Sequence, residues 1–589
     1  MERSEVKQEY KWSIEDIFAT EDAWEQAFER VNGMLDFSAY QGKLGDADVL
    51  LSFMKAQDRL EYEVSRLFVY ALMKQNEDTR IEQGNLRLSK MSAFYAKLGA
   101  SLAFAEPELL ALPETTLRSF IGDERFKDYD YALATLLKNK SHVLSEEEER
   151  VIALSSEATG SFEEIFSMIG NADLDLPEVE YHGQTVKLTH GLYGKILGES
   201  DRTKREEVFK KYYNAYVKLK NTIAANYYSS VKADVFRTKV RKYDSCLSAA
   251  LERTDVDPVV YDNLMKFVEE NVSAMHDYIR YRKEALGLEE QHMYDVYVPL
   301  IDDVKLSMPF DEAYELICKA LAPLGEDYVA LLRRAKQERW IDVEETTAKK
   351  SGAYSISCSG THPFVLLNYQ STLGNIFTLA HEMGHAMHSY FSDKAQPVSK
   401  ARYRIFVAEV ASTVNENLLL NYLLSHTEDK AMKKYLLNYH LDQIRTTLFR
   451  QTQFAMFEYG AHKMVEEGTP LTTQNLYELY YGLNQKIYGD GIVHDEEIGY
   501  EWSRIPHFYS PFYVYQYSTG IISAISIVKR ILSEGKVAVD DYKKFLSAGG
   551  STSPVDVLRL AGVDLTKKEA FEVAMRDFAD TLAQLKALD

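Results

Sequence analysis

Apolar residues recur every three to four positions over most of the 589-residue chain, and this spacing predicts amphipathic helices. Glycine and proline, which interrupt helices, are sparse at 29 and 13 residues. The predicted fold class is therefore mainly α. The pattern predicts helices over residues 21–34, 60–74, 83–103, 146–156, 202–236, 258–286, 310–321 and 327–337.

Two stretches predict β-structure instead. Residues 178–189 alternate around His182-Gly183, a pattern typical of a hairpin. Residues 354–369 contain the apolar run Phe364-Val365-Leu366-Leu367 after turn-forming residues, and this predicts a strand directly before a helix. We use the hairpin as the boundary between an amino-terminal helical domain over residues 1–190 and a second domain over residues 191–589.

Composition narrows the class of protein. Hydrophobic residues make up 46% and charged residues 27% of the chain, which is ordinary for a globular protein and excludes a largely disordered or fibrous one. A chain of this length buries a large core and is long enough to enclose a site. No run approaches the roughly 18 to 20 apolar residues of a membrane span.

Charge and cysteines restrict partners and location. A formal net charge of −22 would repel a phosphate backbone, so neither nucleic acid nor an anionic membrane surface is expected as a partner. The charged first residues lead into no apolar stretch, so no secretory signal is expected. The three cysteines, Cys246, Cys318 and Cys358, lie far apart and are expected to be reduced. We expect a cytoplasmic protein, either a monomer or a small homo-oligomer.

The segment His381-Glu382-Met383-Gly384-His385 is an H-E-x-x-H pattern inside a predicted helix. Four residues advance a helix by about 400°, so His381 and His385 project from nearly one face, about 6 Å apart along the axis. Two imidazoles so placed can bind one metal ion. Glu382 lies about 100° around the helix, beside the ion, where its carboxylate can take a proton from water activated by zinc.

The pattern alone arises by chance roughly a few times per hundred such sequences. Gly384 adds weight, because a mid-helix glycine costs about 1 kcal/mol relative to alanine. That cost is understandable if another backbone or a substrate approaches there. The pattern and the glycine together predict a zinc site.

His388 returns to almost the same face as His381, but it lies about 10.5 Å further along the axis and cannot share the ion. We expect it to support a ligand or to pack. The metzincin pattern would place a third histidine ten residues after the first, where this chain has Phe391. That class is excluded.

A catalytic zinc ion needs a third protein ligand, which in the two-histidine, one-glutamate type comes from a following helix. In residues 405–416, Glu409 and Glu416 lie on one stripe opposite an apolar face. Spacing alone leaves either as an ordinary solvated residue. We favour Glu409 as the ligand and Glu416 as a carboxylate that supports a histidine ligand.

These residues resemble the thimet-oligopeptidase-like zinc metallopeptidases, and specifically their bacterial oligoendopeptidase F branch. The resemblance covers most of the chain and keeps the family's order. Besides the zinc helix and the segment Phe406 to Glu416, it includes Lys11-Trp12-Ser13-Ile14-Glu15-Asp16-Ile17-Phe18, Lys187-Leu188-Thr189-His190-Gly191-Leu192-Tyr193-Gly194, Ser351-Gly352-Ala353-Tyr354-Ser355 and Gly360-Thr361-His362-Pro363-Phe364.

The resemblance implies a site with one Zn²⁺ per chain and Glu409 as third ligand, in a catalytic domain over residues 191–589. Many relatives have proline where this chain has Ala411. A late histidine-and-tyrosine segment, residues 504–517, implies that His507 and a tyrosine bind substrate and stabilise the oxyanion. A phenol with a pKa near 10 remains a hydrogen-bond donor at neutral pH. The family's spacing differs after this histidine, so Tyr517, Tyr515 and Tyr509 all stay candidates, in that order.

The resemblance further implies a two-lobed helical ellipsoid around a deep substrate channel, with a small β-sheet next to the zinc helix. It implies substrate-binding roles for Gly352, Tyr354, His362 and Phe364. An extended peptide can pair with a strand edge through main-chain hydrogen bonds, and residues 364–369 are the expected strand. Short peptides would enter such a channel, whereas folded proteins would not.

The function predicted from the sequence is zinc-dependent hydrolysis of internal bonds in short oligopeptides. One alternative is a dipeptidyl carboxypeptidase, because relatives of this type use the same zinc apparatus. A second alternative, of another class, is an inactive helical scaffold that binds peptides. The sequence does not favour the scaffold, since every expected zinc-site residue is present.

Overall fold

The computed structural model describes residues 1–301 and 307–589. The fold is mainly α with two small sheets, which confirms the predicted class. In chain order the α-helices are α1 (Glu21–Asn32), α2 (Ala47–Glu77), α3 (Glu82–Leu102), α4 (Ala105–Ala111), α5 (Glu114–Ile121), α6 (Asp130–Asn139), α7 (Glu146–Thr159), α8 (Phe162–Met168), α9 (His190–Leu197), α10 (Arg202–Val240), α11 (Cys246–Thr254), α12 (Pro258–Glu270), α13 (Val272–Ala285), α14 (Phe310–Ala320), α15 (Glu326–Gln337), α16 (Leu373–Ala395), α17 (Val398–Ala401), α18 (Ile405–His426), α19 (Lys430–Ile444), α20 (Arg450–Glu466), α21 (Thr473–Tyr488), α22 (Tyr515–Glu534), α23 (Lys536–Leu546), α24 (Pro554–Leu560) and α25 (Glu569–Ala587). The strands are β1 (Glu178–Tyr181), β2 (Gln184–Lys187), β3 (Ile341–Asp342), β4 (Tyr354–Ile356) and β5 (Phe364–Leu366).

The helices predicted from apolar spacing are present, with several differences in extent, of which two are large. Helix α2 begins at Ala47, well before the predicted start at residue 60. The predicted helix over residues 258–286 is two helices, because Asn271 between α12 and α13 leaves the helical conformation. In the part of the chain that the structure describes, no helix is long and apolar enough to cross a membrane.

The chain forms two compact units, each built from separated stretches. Among the described residues, the first unit contains 1–143, 307–423 and 526–563, and the second contains 144–301, 424–525 and 564–589. Each unit therefore joins segments that are hundreds of residues apart. These units are not divided at residue 190, and the two domains predicted on either side of that residue stay a prediction.

The predicted hairpin is present in the second unit. Strands β1 and β2 pair antiparallel, with Tyr181 opposite Gln184. The two turn residues, His182 and Gly183, both have positive φ, at 48° and 75°. Two positive φ angles define the tight turn whose twist matches that of a hairpin, which explains why this sequence turns here.

The second sheet lies in the first unit and has the strand order β3-β5-β4. Strand β5 is central, because it pairs parallel with β3 and antiparallel with β4. Its Phe364 and Leu366 are buried in the unit's hydrophobic core together with Trp24. Both β4 and β5 contact α16, so the sheet supports that helix. Residues 364–369 were expected to pair with a peptide, and for Phe364–Leu366 that expectation is wrong, since both edges of this strand are already paired.

The open edge of this sheet is β4. The outer side of β3 is bonded to the amino-terminal segment, with the Val343 amide donating to Tyr10 O (3.0 Å) and the Ser13 amide donating to Arg339 O (2.7 Å). Strand β4 pairs with β5 on one side, and no strand of the described residues pairs with its other side. An extended peptide could add to the sheet only at β4.

Candidate metal centre

Helix α16 carries the H-E-x-x-H pattern and belongs to the first unit. It begins after Thr372, whose side chain accepts a hydrogen bond from the Asn375 amide and thereby caps the helix. Most of its residues are buried, including Glu382 and Gly384. The predicted helix and its one-turn spacing of His381 and His385 are therefore present.

Gly384 is the point at which α16 meets α18. A Cβ atom added to Gly384 would lie 2.5 Å from Ser412 Cα and 2.6 Å from Ala411 O. Only glycine lets the two backbones come this close. The inference that another backbone approaches Gly384 is confirmed, and the approach brings the two helices together beside the histidines.

We expect a Gly384→Ala variant to be destabilised by about 1–3 kcal/mol, because the added methyl group must push two backbones apart. The same displacement should lower zinc affinity. Thermal unfolding and metal content would measure both effects. Gly374→Ala is the matched control on the same helix, since its added Cβ would meet no atom closer than 3.8 Å. A Gly384→Ala protein as stable and as rich in zinc as the control would contradict the prediction.

Three side chains converge beside this contact. His381 Nε2 and His385 Nε2 lie 3.2 Å apart. Glu409 Oε2 of α18 lies 3.3 Å from His381 Nε2 and 3.5 Å from His385 Nε2. Zinc bonds of about 2.0–2.1 Å at tetrahedral angles would place ligand atoms about 3.3–3.4 Å apart. The three atoms therefore fit three ligands of one tetrahedral ion, and His381, His385 and Glu409 form the only such group among the described residues.

The group is open on one side. The side chains of His381, His385 and Glu409 are 28%, 18% and 41% exposed. A catalytic metal needs an open position besides its protein ligands, whereas a structural zinc site is closed. The partial exposure fits the catalytic type.

Glu416 lies behind His381 rather than beside Glu409. Its Oε1 is 2.5 Å from His381 Nδ1, on the opposite side of the ring from Nε2. Burial alone would lower the pKa of His381, but the hydrogen bonds with Glu409 and Glu416 outweigh it and raise the pKa to about 10. Burial likewise opposes ionisation of Glu409, yet the two histidines hold the pKa of that carboxyl well below its usual range. The pocket therefore attracts positive charge, as a cation site must.

Glu382 is buried, and burial raises its pKa, with the two nearby histidines opposing that shift. Among the described residues, its Oε2 has no hydrogen-bond partner. A buried carboxylate oxygen is normally bonded, so this unpartnered acceptor is available to a water or a substrate. That is the property expected of a base beside the ion.

His388 lies one turn beyond His385, and its surroundings are apolar. Its ring stacks on Tyr403 at 3.7 Å and packs against Phe545 at 5.1 Å. Burial lowers the pKa of His388 to about 3, so the ring is neutral. Neither ring nitrogen has a hydrogen-bond partner in the described chain. Of the two expectations for His388, the geometry agrees with packing.

The late histidine-and-tyrosine segment lies in the second unit. His507 is exposed, and its Nε2 lies 3.4 Å from the Tyr517 hydroxyl. Partial loss of water around the ring, followed by the nearby Arg450 cation, lowers the pKa of His507, which favours a neutral ring. Tyr513, which was not among the predicted site residues, stacks on His507 at an interplanar angle of 12° and meets Tyr517 edge-on. Tyr513 lies six residues after His507, a spacing at which neither a helix nor a strand brings side chains into contact. The contact between the two rings is therefore visible only in the folded segment.

The other two candidate tyrosines are held by their own unit. Tyr515 is 1% exposed and packs edge-on against Tyr261. The Tyr509 hydroxyl accepts a hydrogen bond from Asn226 Nδ2 at 3.1 Å. Of the three tyrosines, only Tyr517 pairs with His507, which agrees with its first place in the predicted order.

The four residues predicted to bind substrate lie in different surroundings. Tyr354 begins β4, on the open edge, and its hydroxyl accepts a hydrogen bond from Asn76, whereas Gly352 lies just before the strand. His362 stacks on Trp340, and its Nε2 is 3.0 Å from Asp16 Oδ2. Phe364 is fully buried, and its predicted substrate-binding role stays a prediction.

Comparison with known proteins identifies similar peptidases. The pattern of peptidase family M3 matches residues 196–577, and that of oligopeptidase F matches residues 108–175. Oligopeptidase PepF of Bacillus subtilis is 42% identical over 100% of this chain and 88% of that protein. A crystal structure of a Chlamydophila abortus protein superposes with a TM-score of 0.94 at 33% identity, covering 100% of both chains. The crystal structure of oligoendopeptidase-F from Enterococcus faecium, 34% identical, has a TM-score of 0.75 and covers 96% of this chain and 99% of that one.

Proposed function

Because this chain belongs to peptidase family M3 and is a metalloendopeptidase that hydrolyses oligopeptides, we propose that its metal is one zinc ion held by His381, His385 and Glu409. The observation that carries the proposal is the spacing of the three ligand atoms, at 3.2, 3.3 and 3.5 Å. Two imidazoles and a carboxylate are the donor set of one known type of catalytic zinc site.

Each side chain around the ion has a separate task in the proposed reaction. When bound, the zinc ion supplies Lewis acidity that polarises the scissile carbonyl and acidifies water. Glu382 takes the proton of the attacking water and returns it to the leaving amine. Glu416 accepts the Nδ1–H of His381, which leaves the Nε2 lone pair directed at the ligand group.

His507 and Tyr517 are proposed to donate hydrogen bonds to the oxyanion of the tetrahedral intermediate. The lowered pKa of His507 supports a neutral ring, and its contact with Tyr517 holds two donors together. The catalytic roles of His507 and the tyrosines stay predictions, with Tyr515 and Tyr509 as the less favoured positions.

Short peptides are the proposed substrates, and we propose that they pair with the open edge of β4 near Gly352 and Tyr354 rather than with β5. No nucleic acid or membrane partner is proposed, in keeping with the net charge of −22. A cytoplasmic location, and a monomer or small homo-oligomer, are proposed from the sequence alone. The buried free state of all three cysteines agrees with a reducing compartment.

A peptide blocked at both ends tests the reaction directly. We expect an acetylated and amidated, internally quenched peptide to be cut at an internal bond by protein that carries one zinc ion per chain, with products identified by mass spectrometry. A dipeptidyl carboxypeptidase would leave this peptide intact and remove dipeptides from the form with a free carboxyl end. An inactive scaffold would cleave neither.

A further inference from the structure

The segment that carries His507, Tyr513 and Tyr517 turns sharply at Phe512. A short 3₁₀ helix, Pro506–Tyr509, precedes the turn, and α22 follows it. Phe512 has a φ of 56°, in the left-handed region that non-glycine residues avoid. Such a conformation persists only where its surroundings hold it.

One hydrogen bond and two ring contacts hold Phe512. Its backbone N–H donates a hydrogen bond to Glu458 Oε1 of α20 at 2.7 Å. Its ring is buried, with centroids 4.8 Å from the His462 ring and 6.2 Å from the Tyr261 ring. A ring contact sets no single direction for the backbone, whereas the hydrogen bond fixes the direction of one backbone amide.

Glu458 is an unusual residue to find at this place. It is 1% exposed, and burial raises its pKa to about 8, with His462 and the Phe512 amide opposing that shift. In the described chain its other oxygen, Oε2, has no hydrogen-bond partner. A buried carboxyl group costs free energy unless its bonds repay the loss of water, and the bond to Phe512 is the one that a smaller or apolar residue could not make.

We propose that Glu458 is a positioning residue that fixes the left-handed turn by holding the Phe512 amide. The turn keeps His507, which precedes it, in contact with Tyr513 and Tyr517, which follow it. The proposal rests on the proposed function, since it assumes that these three side chains act on the substrate. Phe512 lies five residues after His507 and five before Tyr517. A change in its backbone angles would therefore separate the two proposed donors.

Two substitutions separate the hydrogen bond from the charge and the volume. Glu458→Gln keeps an acceptor oxygen at the same reach, whereas Glu458→Met keeps the shape and removes the acceptor. Because misplacement by about 1 Å can cost 100-fold in rate, we expect Glu458→Met to lower kcat about 10- to 100-fold and Glu458→Gln to restore it to within about threefold of wild type. Should Glu458→Met fail to fold, Glu458→Asp makes the same test by withdrawing the carboxylate from the amide.

A structural readout keeps this test independent of the catalytic assignment. The ring Cε1–Hε1 resonance of His507, identified by its absence in a His507→Gln protein, should shift in Glu458→Met and stay in place in Glu458→Gln. An unshifted resonance in Glu458→Met would overturn the proposal, whatever the activity. If the resonance shifts while His507→Gln and Tyr517→Phe retain full activity, the positioning inference stands and the proposed oxyanion role fails.

A double substitution excludes a general loss of folding. In a Tyr517→Phe background, we expect Glu458→Met to lower kcat less than about twofold further, because the pairing that it supports is already lost. An undiminished loss in that background would mean that Glu458 acts elsewhere, and would overturn the proposal. Leu476→Ala, a fully buried residue of α21 in the same unit, is the control for lost stability and should leave kcat unchanged below its unfolding temperature.

Discussion

A Glu382→Gln protein is expected to retain its zinc ion and to lose about 10²- to 10⁴-fold in kcat, the range that a positioned general base contributes. Glutamine has the shape of glutamate but cannot take a proton from water. The three proposed ligands lie on other residues, so metal content should be unchanged. Steady-state kinetics on a quenched peptide, with zinc measured on the same sample, would test both halves of the prediction.

The Glu382→Gln substitution is not expected to destabilise the fold. Glu382 Oε2 makes no hydrogen bond within the described chain, and a neutral side chain is easier to bury than a charged one. Asp393→Asn is the matched control, because it changes a carboxylate on the same helix whose pKa burial raises to about 6. It lies about 16 Å further along the axis and should leave kcat unchanged. Full activity of a zinc-loaded Glu382→Gln protein would reject the role of Glu382.

Replacing Glu409 by alanine is expected to abolish activity by a different route, through loss of the metal. Removing a partner that supports a ligand costs about 10- to 100-fold in metal affinity, and removing the ligand itself should cost more. Zinc affinity measured by competition with a chromogenic chelator would give the value. Glu416→Gln is the comparison, because it weakens the support of His381 and leaves all three ligand atoms in place.

Comparing the zinc affinities of these two variants identifies the third ligand. We expect Glu409→Ala to bind zinc more weakly than Glu416→Gln does. If instead Glu409→Ala keeps wild-type affinity and Glu416→Gln loses its zinc, Glu416 is the ligand and Glu409 is an ordinary half-exposed carboxylate. Thermal unfolding of the two metal-free proteins would show that the difference does not arise from folding.

The centre of the site could be predicted because helix geometry is local. The spacing of His381 and His385 follows from 3.6 residues per turn, and the cost of Gly384 indicated a close neighbour before that neighbour was known. The choice between Glu409 and Glu416 was harder. Both lie on one stripe of α18, and only the packing of α18 on α16 directs one towards the Nε2 atoms and the other towards Nδ1.

Strand pairing and aromatic grouping could not be predicted in the same way. The buried run at residues 364–367 correctly indicated a strand, but an apolar strand has no mark that shows whether its edges are free. The two-residue strand β3 is too short to leave a pattern. Tyr513 contacts His507 because the chain makes a left-handed turn at Phe512. That conformation could not be predicted, since non-glycine residues rarely adopt it.

The division of the chain into two compact units could not be predicted from the sequence either. The two compact units each combine stretches from the beginning, middle and end of the chain. Periodicity reports on neighbours three or four positions apart and carries no information on which distant helices pack together. A single boundary at residue 190 was the simplest division that local patterns could suggest.

Helices α16 and α18 are held together by direct contacts between their own residues. Besides the backbone approach at Gly384, Asn415 Nδ2 donates a hydrogen bond to Ala380 O at 3.1 Å, so the frame around the ligands does not depend on the ion. In small zinc domains the ion's binding energy is the folding energy, and metal loss unfolds the chain. Here the apoprotein is expected to keep its shape and to regain activity when zinc returns. Activity would then depend on zinc supply while the amount of folded protein stays the same.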